Sequence, residues 1–207
     1  MQDDPDEVTR LWRSLRELQQ RGMGDQYQEV LPGLSEPQLQ VIERMLGFGL
    51  SESHKALLRL SAGGTPWPSE GKHMDVDMML ERWAMWAGIA NDAGQNAEEP
   101  DPQYLQMMKT TFMYCHARLL PLCHEYGGGD GVMLDMAPGP AGRIGQIVRI
   151  DHGDGLRWVA PHLTAYLSDF VQAIESGHLH YDVESSDWVR EDGAHMYSSE
   201  LHGRWSE

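Results

Sequence analysis

The residues best suited to chemistry are two Cys-His pairs, Cys115-His116 and Cys123-His124, and a His178, His180, Asp182 series near the end of the chain. Four Cys and His ligands are what a structural zinc ion takes. Such a site is conceivable if the two strands are neighbours, but adjacent residues on a strand point to opposite faces, so one site does not easily gather both members of each pair. The same geometry separates a Cys nucleophile from its neighbouring His base, and no Gly-x-Ser-x-Gly elbow is present. On a strand, His178, His180 and Asp182 would share one face, as a metal requires. Surface histidines in a polar tail are the plainer reading and the preferred one. The expectation is a protein with no catalytic group, no metal and no cofactor. Two Cys are too few for a disulfide framework and form no Cys-x-x-Cys, so reduced, buried thiols are expected.

Two glycine clusters come next, Tyr126-Gly127-Gly128-Gly129-Asp130-Gly131 and Pro138-Gly139-Pro140-Ala141-Gly142-Arg143-Ile144-Gly145-Gln146. A phosphate-cradling loop would open a helix and carry Lys-Ser/Thr, or an acidic residue about 20 positions on. Both clusters lead into strand-like segments instead, which makes them hairpin turns in which Gly supplies positive φ.

Charge narrows the field further. The 207 residues hold 32 Asp+Glu against 16 Lys+Arg, a formal charge of −16, with 41% hydrophobic residues. That is enough apolar material for a core. Nucleic-acid phosphates and anionic membrane surfaces would repel such a chain. No stretch approaches the roughly 20 apolar residues of a spanning helix, and the acidic start MQDDPDEVTR is unlike a signal peptide. A soluble, cytoplasmic protein is expected.

The elements that would position these residues follow from periodicity. Val8, Leu11, Trp12, Leu15 and Leu18 predict an amphipathic helix over 6–20, with acidic residues at its start. Ser35-Glu-Pro-Gln38 reads as a capping box before a helix whose apolar face is Leu39, Ile42, Met45 and Leu46. Gly47 and Gly49 end it, and Ser51 or Ser53 caps a short helix carrying Leu57, Leu58 and Leu60. Residues 65–72 should be a loop. Val76, Met79, Leu80, Trp83, Trp86 and Ala87 predict a helix with a buried Met- and Trp-rich stripe, and 91–102 an exposed acidic loop. Strands are expected at 110–115, 119–123, 132–136, 144–150 and 156–160, then a last helix through Leu163, Tyr166, Leu167, Phe170, Val171 and Ile174. Helices first, then strands, then a helix is the α+β order.

Residues 127–148, GGGDGVMLDMAPGPAGRIGQIV, followed by RWVAPHLTAYLSDFVQAIESG, resemble the central signature of the SUKH superfamily, which includes the cell wall assembly and cell proliferation coordinating proteins of fungi. The matching positions are Gly128, Gly129, Asp130, Leu134, Asp135, Pro138, Gly139, Gly142, Gly145, Gln146, Val159 and Ala160. LPGLSEPQLQVIERMLGFGLSESHKALLRLSAGG resembles the family's opening helix pair. Leu119-Leu120-Pro121 stands where family members usually carry Trp before Pro, and 65–109 has no counterpart. The chain divides accordingly into an N-terminal helix (1–29), a SUKH-like domain (30–177) with a variable segment at 65–109, and a polar tail (178–207).

The resemblance implies helices packed on a largely antiparallel sheet, serving as a non-catalytic protein-binding module. Bacterial members are regarded as immunity proteins that neutralise toxins, often nucleases; fungal members coordinate wall synthesis and signalling through protein contacts. A nuclease presents a cationic site, toward which a chain of charge −16 would be steered. The candidate contacts are Glu125, Asp130 and Asp135 around the Gly turn, and Glu98, Glu99 and Asp101 in the acidic stretch. For Asp135, which precedes a Pro-Gly turn, capping that turn's N–H groups is the competing role. Gly128, Gly129, Gly139, Gly142, Gly145 and Gln146 are expected to be structural. The partner is then a protein with a cationic domain, and the sequence assigns no oligomeric state.

Overall fold

The computed structural model describes residues 3–64, 72–93, 102–111, 115–124, 131–151 and 155–194. In chain order they form α1 (Pro5–Met23), α2 (Glu36–Leu46), α3 (Glu52–Leu60), β1 (Lys72–His73), α4 (Val76–Ala93), α5 (Pro102–Met107), β2 (Leu119–His124), β3 (Gly131–Asp135), β4 (Gln146–Asp151), β5 (Gly155–Ala160), α6 (Leu163–Glu175), β6 (Leu179–Asp182) and β7 (Asp187–Arg190). The fold is α+β, as expected.

The helix ends follow capping chemistry. The Asp4 carboxylate accepts the Asp6 N–H at 2.9 Å at the start of α1, Ser51 accepts the His54 N–H at 3.2 Å at the start of α3, and Asp75 accepts the Met78 N–H at 2.8 Å at the start of α4. At the start of α2 the Ser35 N–H donates to Gln38 Oε1 at 2.9 Å, half of the capping box read from the sequence. Gly47 ends α2 in the left-handed region at φ 76°, where a Cβ would be strained. Two N-termini are joined: the Asp4 N–H donates to Thr164 Oγ1 at 3.0 Å, and that hydroxyl donates to Asp3 at 2.9 Å, tying α1 to α6.

β1 to β5 form one antiparallel sheet in sequence order, and β6 pairs with β7 in a separate hairpin. Both faces of the larger sheet are covered. Leu120, Leu122, Val132, Leu134, Ile147 and Val159 pack in the main core with α1, α3 and α6, while Leu119, Met133, Val148 and Ile150 pack with Trp86 and Ala90 of α4. Two-sided cover explains why β2 reads as a continuous apolar run rather than an alternating one. It also explains Pro121, which lacks a ladder N–H and sits at the start of a bulge between Pro121 and Cys123. The bulge puts Leu122 and Cys123 into the same core cluster.

Several expectations change. Thr110, Thr111 and Cys115 are not strand residues. The backbone of 108–110 is occupied elsewhere, with the Met108 and Lys109 carbonyls accepting the Ala141 and Gly139 N–H groups, each at 3.0 Å. Lys72, expected in a loop, forms β1 on β2 together with His73. Asn91–Ala93 complete α4, since no Gly or Pro intervenes before Gly94, and Pro102 opens α5 at a position where its missing N–H costs nothing; residues 94–101 lie outside the described set. Met45 is 58% exposed instead of buried. The start of the tail is a hairpin that places Leu179 and Trp188 in the main core.

Candidate functional site

The sequence signature converges on one buried polar cluster at the end of β3 and the start of β4, where Asp135 faces Gln146 across the ladder. His116 Nδ1 accepts the Arg118 N–H at 3.1 Å, which leaves the proton on Nε2; that nitrogen donates to Asp135 Oδ1 at 3.0 Å. The same oxygen accepts the Ala137 N–H at 3.0 Å, and Gln146 Nε2 donates to Asp135 Oδ2 at 2.9 Å. Gln146 also donates to the Lys109 carbonyl at 2.8 Å and accepts the Arg143 N–H at 3.1 Å. Every one of these groups holds a structural bond.

Asp135 is therefore corrected as a partner contact. Its side chain is 0% exposed, and a carboxylate spent on three donors inside the protein has no face to offer. Capping the Pro-Gly turn, its competing role, is what the structure shows. Gln146 is structural, as expected. Gly145 supplies the expected positive φ, +81°, whereas Gly139 and Gly142 have no positive φ and are needed for another reason. A Cβ on Gly139 would lie 2.3 Å from the Thr110 carbonyl oxygen, and one on Gly142 2.1 Å from that of Lys109. These two positions need Gly because 108–110 crosses directly over the turn. Glu98, Glu99, Asp101, Glu125, Gly128, Gly129 and Asp130 lie outside the described residues; β2 and β3 on either side of 125–130 pair antiparallel, His124 with Gly131.

The chemistry-bearing residues are dispersed. Cys115 is buried beside α4, its thiol donating to the Trp86 carbonyl, and burial pushes its pKa up, away from a reactive thiolate. His116 serves Asp135, and Cys123 is buried in the main core. His178 pairs with Glu191 at 2.5 Å, while the Asp182 carboxylate accepts the Ser185 N–H at 3.0 Å in the β6–β7 turn. Among the described residues no three His, Cys, Asp or Glu side chains stand close enough to hold a metal ion.

Two features escaped the sequence reading. His54 on α3 and His73 on β1 are buried, with pKa values lowered to about 4 and about 3, both first by desolvation; His54 and Arg16 push His73 down further. The Arg16 guanidinium donates to Gln19 and to the Gln28 carbonyl, each at 2.7 Å, and stacks 4.4 Å from the Tyr27 ring, which pins the chain after α1. On the surface, a groove of about 540 Å³ runs between α2 and the start of α4. Val41 and Met45, four residues apart, were the available signal for it.

An antiparallel sheet covered by helices on both faces, with Asp135, Gln146, Gly139 and Gly142 spent on holding the turn between β3 and β4, defines an α+β domain. The sequence model of the SMI1 / KNR4 family (SUKH-1) matches residues 33–169. The chain belongs to that family, whose members are in general non-catalytic. No curated protein matches the chain. The match begins just before α2 and ends inside α6, yet α1 and Trp188 of β7 pack into the same core.

Proposed function

We propose that this protein is a non-catalytic binding module that acts as an immunity protein, neutralising a toxin with a cationic domain by direct contact. The observation that carries the reading is the combination of SUKH-1 membership with a charge of −16. Association of such a chain with a cationic surface is steered electrostatically and weakens with salt. Glu98, Glu99, Asp101, Glu125 and Asp130 remain the candidate carboxylates for that contact. The test is a cell-protection assay: expression of the chain should rescue cells from the partner toxin. If the partners it retains are envelope-synthesis or signalling proteins and no protection follows, the module is a regulatory scaffold instead.

A further inference from the structure

Leu31, Val41 and Met45 are 43%, 44% and 58% exposed, although Ile42 and Ala62, which line the same groove, are buried. They are not scattered. All three line the groove between α2 and the start of α4, with Leu80 on the α4 side. Among the described residues the charged ones lining it are Asp75 and Asp77, with no Lys or Arg. Asp75 is half-buried and caps α4, and Asp77 is exposed in the first turn.

An apolar floor with carboxylates at one end selects its occupant by chemistry. A volume of about 540 Å³ suits about three large side chains, which a helix presents at i, i+3 or i+4, and i+7. A second copy of this chain is disfavoured, because each copy would bring a charge of −16. A basic segment would gain both burial of its apolar face and attraction to Asp75 and Asp77.

Resting on the protein-binding reading above, we propose that the α2–α4 groove docks an amphipathic helix of the partner protein, with its apolar face on Val41 and Met45 and a Lys or Arg beside Asp75 and Asp77. Val41 and Met45 are then the contacts that hold the partner, and the wider acidic surface guides it in.

The probe is a fluorescein-labelled 18-residue peptide of Leu and Lys arranged as an amphipathic helix, titrated into the full chain and compared with a scrambled peptide of the same composition. The ordered peptide should bind the parent chain more tightly than the scrambled one. V41E and M45E should each weaken it by at least about tenfold, whereas V183E, which adds the same charge in the exposed β6–β7 turn, should stay within about twofold. Equal binding of both peptides, or unchanged binding by V41E and M45E, overturns the groove and leaves only non-specific attraction. A dimer in sedimentation that M45E abolishes would overturn it in favour of a second copy, and tighter binding by W67A would put the chain's own 65–71 segment there. Failures are separable: if the parent chain protects cells and V41E and M45E protect equally, the groove alone falls; if the parent chain itself does not protect, the immunity reading falls.

Discussion

Gln146 satisfies three polar groups at once, Asp135 Oδ2, the Lys109 carbonyl and the Arg143 N–H. Gln146→Leu keeps the approximate volume but strips Asp135 Oδ2 and the Arg143 N–H of their partner, while the Lys109 carbonyl keeps only the Gly139 N–H, at about 1–3 kcal/mol for each group left unsatisfied. The expected result is a fall of about 2–4 kcal/mol in urea-unfolding free energy at pH 7.5; a loss below about 0.5 kcal/mol, the range of ordinary surface substitutions, would show that the cluster does not hold the turn. His54 and His73 make stability depend on pH with a definite sign. Their folded pKa values, about 4 and about 3, lie below the ordinary 6.5, so the unfolded chain takes up protons first as pH falls. Their contribution is complete above pH 6.5 and is lost on acidification toward the folded values, by about 2 kcal/mol each at pH 5. Urea unfolding at pH 7.5 and pH 5 should show the loss, and His54→Leu should remove about half of it. Of these residues, the sequence marked Asp135 by its place before a Pro-Gly turn and Gln146 through the resemblance to the family signature. It left His54 and His73 unmarked, because an isolated His in an apolar helix or short strand carries no sign of what closes over it.

At the scale of elements, the helices and central strands were legible because periodicity and caps are local properties. Asp4, Ser51 and Gly47 stand where the pattern requires them. One exception is Thr110 and Thr111, whose composition suits a strand but which follow a backbone, 108–109, that crosses over the 139–142 turn. That crossing is a contact between distant segments, so the sequence could show that Gly139 and Gly142 were needed without showing why. It yields a paired prediction. Gly142→Ala puts a Cβ 2.1 Å from the Lys109 carbonyl oxygen, whereas an added Cβ at Gly88, inside α4, meets nothing within 4 Å. Thermal unfolding should therefore show Gly142→Ala destabilised by about 1–3 kcal/mol and Gly88→Ala stabilised by up to about 1 kcal/mol. Equal effects of the two would contradict the close packing of turn and crossing segment. Cover of the second sheet face by α4 was equally hidden, because a Met- and Trp-rich stripe says that a helix is buried and not against what.

For the molecule as a whole, the family signature and the charge were both legible at the level of sequence, and the structure joins them by showing what the signature does. It builds a helix-covered sheet, and its Gly139, Gly145 and Asp135 are buried at the turn between β3 and β4. The α2–α4 groove could be read only after folding, since it is formed by Leu31, Val41 and Met45 meeting the start of α4. Among the described residues no helix is long and apolar enough to cross a membrane. The central claim, a module that neutralises a cationic protein by contact, is tested most directly by affinity capture from the native lysate, with low-salt and high-salt washes. Each retained protein is then assayed for toxicity with and without an equimolar amount of the chain. The account predicts a basic protein that stays at low salt, leaves at high salt, and loses its toxicity when the chain is added. Retained proteins that are not basic, that are indifferent to salt, or whose toxicity the chain leaves untouched would contradict it.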